Sequence, residues 1–389
     1  MSYHLGRLGR EHLILERGRI GERWRSERWD SLTFQFPNWM VRLPGFAYEG
    51  NEPEGFMNRE AVMEFIEAYA RRISPPVRCG VQVRALRLSG SSGLDVETDH
   101  DTVHAANVVV ATGPYQVPRV PAVSAELPPS VCQVTANRYK SADQLPPGNV
   151  LVVGAGGSGC QIAEDLVRSG RHALLSVGRH RRVPRRYRGN DFGWWQEKTG
   201  ASDRVVDPLH PAPQAPLLTG VQGGHDVDFR DLARQGVVLL GSLGDIRSGR
   251  ASFVADLHQN LASGDAAFHQ FTEWVDRYIL VHELDAPEPP PRCLSSSTSL
   301  PVPSPIRDLD ISGAGISAVV WATGYRCDFG WIACPVFDVV GMPIHRRGVT
   351  AVPGLYFLGL ARLHKVKSAF LWGVGEDAAY LAEHIVNRS

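Results

Sequence analysis

The stretch "GNVLVVGAGGSGCQIAEDLVRSGRHALLSVGRHRR", residues 148–182, decides how the chain folds. Residues 150–153 are an apolar, β-branched run that reads as a buried strand, and Ile162, Ala163 and Leu166 repeat at helical spacing. Between them lies Gly154-Ala155-Gly156-Gly157-Ser158-Gly159, a GxGxxG loop in the context that gives the pattern meaning, with a strand before it and a helix after it. Gly154 permits the tight turn, Gly156 lets the backbone approach a pyrophosphate, and Gly159 lets helix and strand pack closely. The phosphates would rest at the helix N-terminus beside Ser158, where free N–H groups and the helix dipole favour an anion. The next strand ends in Gly178-Arg179, followed by His180, Arg181 and Arg182. An arginine there accommodates a 2′-phosphate, which favours NADPH over NADH, with a solvated basic loop as the alternative.

The beginning of the chain repeats this unit. "LGRLGR" at residues 5–10 matches "LVRSGR" at 166–171, an offset of 161 residues, and His12 to Leu15 then form a short apolar strand closed by Glu16 and Arg17. An acid at that place grips the free hydroxyls of an adenosine ribose, as FAD presents them. By the same offset, Met1 corresponds to Ile162, inside the helix, and the partners of Gly154 and Gly159 fall before residue 1. The expectation is that a strand and glycine loop stand upstream; the alternative is a degenerate unit that binds NADPH at best. Two further strands, 108–110 and 319–321, both run into Ala-Thr-Gly, ending in Thr112-Gly113 and Thr323-Gly324. A small residue and a glycine there let the chain turn sharply beside a cofactor or a domain crossover.

Composition narrows the function. The 389 residues are 43% hydrophobic and 21% charged, with 41 basic against 41 acidic side chains. Such a chain builds a substantial core, more readily as two domains than one, and projects no net field toward nucleic acid or an anionic membrane. The six cysteines, at 79, 132, 160, 293, 327 and 334, show no zinc-ligand spacing. No metal site is expected. With no apolar run of membrane-spanning length and no leader-like N-terminus, a reduced, cytoplasmic protein is expected, with small molecules as partners.

At this point the sequence resembles the flavin-containing monooxygenases and related two-dinucleotide-domain flavoproteins, including the plant indole-3-pyruvate monooxygenases. The resemblance spans nearly the whole chain. It rests on Glu16 with "GERWRSERWDSL" (21–32), "VVVATGPYQVPRVP" (108–121), the GAGGSG unit, "VVWATGY" (319–325) and "GLYFLGLARLHKVKSAFLWGVGEDAAYLAEHI" (354–385). It implies an α/β fold of two Rossmann-like, doubly wound domains, with the NADPH domain (147–309) inserted into a discontinuous FAD domain (1–146 and 310–389). It also implies a reaction in which NADPH reduces FAD, oxygen forms a flavin C4a-hydroperoxide, and one oxygen atom passes to a small organic substrate. A reductase or oxidase without oxygen transfer is the rival within enzymes. By motif position, Trp24, Arg25 and Trp29 lie along the FAD, Gly359 meets its flavin end, and Gln35 offers a polar group near the ring unless it is merely structural. One departure stands out: where the family carries His-Ser-x-x-Tyr before the NADPH domain, residues 135–139 read Thr-Ala-Asn-Arg-Tyr.

Among the remaining segments, 258–279 read as an amphipathic helix pair, 285–305 as a proline-rich linker, and 228–241 as helix then strand. Phe192, Trp194 and Trp195 fit a pocket wall and a core equally well.

Overall fold

The computed structural model describes residues 1–90, 93–206, 214–289 and 306–388; Cys293 and most of the proline-rich linker lie outside the described residues. Its largest sheet has five parallel strands in the spatial order Cys132–Thr135, Ile316–Trp321, Asn149–Val153, Ala173–Ser176, Val238–Leu240. The glycine-loop strand is central. Its side chains alternate between two cores: Val150 and Val152 pack in one, Leu151 and Val153 in the other, as a parallel sheet covered on both faces requires. Val150, Leu151 and Val152 are fully buried, and each such side chain contributes about 1.5–3 kcal/mol by leaving water.

The expected boundaries at 147 and 309 are corrected by this sheet, because Cys132–Thr135 and Ile316–Trp321 lie outside them and yet belong to it. The strand of the second Ala-Thr-Gly pairs directly with the glycine-loop strand, so the inserted domain ends only after it. Linear distance from the motif is a poor guide where a crossover brings a late strand to the sheet centre.

The first unit uses the same parts. Ile14–Glu16 pairs in parallel with Val77–Cys79, and Val108–Val110 with Leu355–Phe357. In the second unit the corresponding pairs are joined through the glycine-loop strand; among the described residues no strand joins these two. The 161-residue repeat is geometric as well as sequential. Arg10 N–H donates to Leu5 C=O and Arg171 N–H to Leu166 C=O, both at 2.9 Å. Gly9 and Gly170 both take φ near +70° (66° and 75°), the left-handed helix exit that glycine permits without Cβ strain. Leu5 and Leu166 are both buried, Leu5 against Tyr356, Leu358 and the final helix, Val374–Arg388.

Residues 258–279 do not form a helix pair. They lie in one 25-residue helix, Leu257–Val281. Gly264 lies inside this helix, and a Cβ there would lie 2.3 Å from His180 Nε2. The segment 228–241 forms the expected helix, Phe229–Arg234, and strand, with Asp228 accepting the Arg230 N–H as N-cap. Among the described residues no helix is long and apolar enough to cross a membrane.

Candidate dinucleotide sites

The glycine-loop helix, Gly157–Arg168, starts directly behind the central strand, and its glycines hold the separate places their spacing implies. Gly154 takes φ +103°, and a Cβ on it would stand 2.5 Å from Ala322 C=O. A Cβ on Gly159 would stand 1.8 Å from Gly154 C=O, which backbone cannot accommodate without moving. Gly156 is different. It caps the helix, and nothing lies within 4 Å of the position a Cβ would take, so its face is open to a ligand. The loop is therefore closed on the protein side and open on the other, as a backbone cradle for pyrophosphate must be. Ala322, which the sequence offered only as a small strand-end residue, closes it: its N–H donates to Val153 C=O at 2.9 Å, and its carbonyl and Cβ press on Gly154 and Gly159.

Beyond the next strand, the arginines differ in what they are committed to. Arg182 is spent on Asp228 and Asp265, each at 2.9 Å. Arg179 is exposed, Arg181 half-buried, and neither has an ion-pair partner among the described residues. Burial, together with the charge of Arg204, disfavours the protonated Arg181. A desolvated, unpaired arginine next to an exposed one is a place where a phosphate would relieve the imbalance.

In the first unit, Glu16 ends its strand with Oε1 accepting the Gly18 N–H at 2.7 Å, which holds the carboxylate at the strand tip. Arg17 is exposed. Trp24 is half-buried, edge-on to Phe34 at 5.8 Å, with Arg28 5.4 Å over its ring. Arg25 is ion-paired to Glu67. Trp29 departs from the expected place: it is 5% exposed and belongs to the buried cluster with Leu32, Val134 and Ile162 in the other unit's core, which leaves little of its ring accessible. Gly359 takes φ +74° two residues after the strand Leu355–Phe357, and a Cβ on it would meet only Val374 Cγ2 of the final helix, at an ordinary contact distance of 3.9 Å.

The two Ala-Thr-Gly turns meet at the crossover between the units. Thr323 donates its hydroxyl to Arg119 C=O, and Arg119 N–H donates to Gly324 C=O at 2.8 Å. Thr112 Oγ1 and Gly113 C=O both accept from Gln116 Nε2, at 2.9 and 2.8 Å. Residues 117–118 and 325–326 then pair antiparallel. Gln35 lies at the glycine loop: a Cβ on Gly157 would be 2.9 Å from Gln35 Nε2, so its amide sits over the first turn of the glycine-loop helix. The Gln35 backbone carbonyl accepts from Arg185 Nη1 at 2.7 Å.

Sequence reading missed that support. Arg185 looks like one more surface base in a basic run, yet it is 1% exposed and forks onto Asp191 at 2.5 and 2.8 Å. The only signal was an acid six residues downstream. The tyrosine left from the linker motif is structural: Tyr139 is fully buried, and its hydroxyl donates to Asp165 Oδ2 at 2.6 Å, pinning the linker to the glycine-loop helix. Burial and that carboxylate push its phenol well above the usual range. Phe192 and Trp195 are core, whereas Trp194 is half-buried with Lys198 5.8 Å from its ring. Lys365, Lys367, Asp203 and Glu376 form a four-membered ion cluster, at 2.5–2.9 Å, between the loop after residue 200 and the final helix.

Residues 1–188 match the family described as pyridine nucleotide-disulphide oxidoreductase. An uncharacterized CzcO-like oxidoreductase of Geobacillus kaustophilus is 32% identical over 96% of this chain and 91% of its own length. The indole-3-pyruvate monooxygenase YUCCA1 of Oryza sativa subsp. japonica is 31% identical over 42% of this chain and 41% of its own. Among solved structures, a flavin-containing monooxygenase from Stenotrophomonas maltophilia superposes with TM-score 0.65 at 16% identity, covering 99% of this chain and 94% of that one. The bacillithiol disulfide reductase of Staphylococcus aureus reaches 0.63 at 12% identity, covering 100% and 94%. Both oxygenating and purely reducing enzymes thus share this two-domain Rossmann-like fold, which by itself does not choose between them. The chain belongs to the family of CzcO-like oxidoreductases, with which it aligns over nearly its whole length.

Proposed function

We propose that the protein is a cytoplasmic NADPH-dependent flavoprotein monooxygenase acting on a small organic substrate with molecular oxygen. One nucleotide belongs to each unit. NADPH lies on Gly154, Gly156, Ser158 and Gly159 with its 2′-phosphate at Arg179 and Arg181; FAD lies along Glu16, Arg17, Trp24 and Arg25, with Thr112, Gly113, Thr323, Gly324 and Gly359 shaping the chain around it. The observation that carries this reading is the difference between the glycines: two are sealed by protein, and Gly156 alone faces open space. On the FAD side, Ile14–Glu16 and Val108–Val110 each have one paired edge and one unpaired edge among the described residues.

When bound, FAD supplies the electron and oxygen chemistry; this chain's residues bind, orient and exclude water. Gln35 Nε2, an amide donor over the helix start, is suited to hold a carbonyl of the nicotinamide or the flavin.

The test uses the purified full chain, reconstituted with FAD, and followed by visible absorption, NADPH oxidation and oxygen uptake. Flavin bands with substrate-dependent oxygenated product support the reading. Stoichiometric hydrogen peroxide without product across a broad substrate panel would replace oxygen transfer with oxidase activity. Failure to hold FAD, with tryptophan quenching by NADPH retained, would leave a nucleotide-binding protein.

A further inference from the structure

A cavity of about 440 Å³ opens between the glycine-loop helix and the helix Phe229–Arg234, apart from the open face of Gly156. Four carboxylates line it, from Glu164, Asp226, Asp228 and Asp231, and three of them are already paired. Glu164 holds His225 Nε2 at 3.0 Å and Arg168 at 2.6 Å; Asp228 holds Arg182; Asp231 holds Arg234. Asp226 forms no ion pair among the described residues, although the charges of Arg182 and His225 reach it. Among the described residues its one hydrogen bond is from the Arg185 backbone N–H, at 2.6 Å. Burial pushes its carboxyl above the usual range, so a positive neighbour would be favoured there.

A second, independent observation lies in the same wall. Gln161 is 3% exposed and lines the cavity; its Nε2 donates to Leu218 C=O at 2.8 Å, but Oε1 is buried without a hydrogen-bond partner. Leaving such an acceptor unpaired costs about 1–3 kcal/mol, and a ligand N–H would remove that cost. Val227 and Leu232 supply apolar wall for a short alkyl chain. No three His, Cys, Asp or Glu side chains converge closely enough to hold a metal among the described residues, so the donor set suits N–H groups.

We propose that this cavity binds a small primary ammonium ion, with the Asp226 carboxylate as counter-ion and Gln161 Oε1 as second acceptor. Size fits, since pockets of roughly 300–1,000 Å³ hold small organic ligands. The site shares a helix with the nucleotide loop: Gly157, Gln161 and Glu164 follow one another along one face of it.

The experiment is calorimetric titration of the purified full chain with butylammonium, with butyrate and butan-1-ol as probes of charge. Saturable one-to-one binding of butylammonium is expected, at least tenfold weaker in Asp226→Asn and in Gln161→Leu, with butyrate not bound. Should either variant unfold, Asp231→Lys, a partly exposed position on the cavity wall, is expected to weaken butylammonium by a similar factor while thermal melting stays within a few degrees of the wild type. Binding of butyrate or butan-1-ol as tightly as the amine would overturn the proposal. So would wild-type affinity in Asp231→Lys, or no saturation by the amine.

Discussion

The glycine loop makes a prediction in which stability and nucleotide binding separate. Gly159→Ala places a methyl 1.8 Å from Gly154 C=O and 3.3 Å from Ala322 Cβ, so backbone must move at the junction of helix and central strand. Overpacking of this kind costs about 1–3 kcal/mol or more. For a domain of this size that lowers the melting temperature by roughly 2–4 °C per kcal/mol, a fall of several degrees. Gly156→Ala should behave in the opposite way. Its φ is −76°, which alanine adopts freely, and nothing lies within 4 Å of the new methyl. Reduced unfolded-state entropy alone would change stability by about 0.4–1 kcal/mol in the stabilising direction. The methyl nevertheless occupies the space where the pyrophosphate would approach. A loss of two close backbone–phosphate contacts, at about 1.5–3 kcal/mol each, weakens NADPH by at least a hundredfold. The assay pairs thermal melting without nucleotide with NADPH titration by tryptophan quenching. If Gly156→Ala binds NADPH as the wild type does, the open face is not the phosphate site and the loop is only a turn.

Three further outcomes follow from the geometry. Arg179→Ala should weaken NADPH by about tenfold or more while leaving NADH nearly unchanged, since the side chain is exposed and unpaired; equal losses for the two nucleotides would remove it from the 2′-phosphate. Tyr139→Phe keeps the ring in its fully buried place but takes a hydrogen bond from Asp165, which retains Ser31; a loss of about 1–3 kcal/mol in denaturant unfolding is expected, with NADPH affinity preserved, and unchanged stability would refute the pinning role. His225 is raised above its ordinary value chiefly by its hydrogen bond to Glu164. Its contribution to stability is then complete below an unfolded value of about 6.5 and fades as pH rises through the folded value. The melting difference between wild type and His225→Gln should therefore be larger at about pH 6 than at about pH 8.5. A pH-independent difference would mean the pair contributes nothing through charge.

Much of the fold is legible in sequence because it depends on local pattern. The apolar run before Gly154 specifies a strand, the GxGxxG specifies the turn and helix start, and the 161-residue repeat specifies a second unit whose exit bonds and left-handed glycines coincide with those of the first. These features need only neighbours close in the chain. What the sequence did not determine depends on which distant groups come into contact. Residues 316–321 enter the sheet beside the glycine-loop strand although they follow it by more than 160 positions, and so the domain ends later than a linear reading places it. Trp29 crosses into the other unit's core; Arg185 is consumed by Asp191 while Arg179 has no ion-pair partner among the described residues, although both arginines belong to one basic run. Residues 258–279 read as a helix pair, yet one helix runs through them, with Gly264 against His180. Pattern determines backbone conformation because sterics and burial act residue by residue; tertiary packing alone decides which charges are spent, which faces are sealed and which remain open to a ligand.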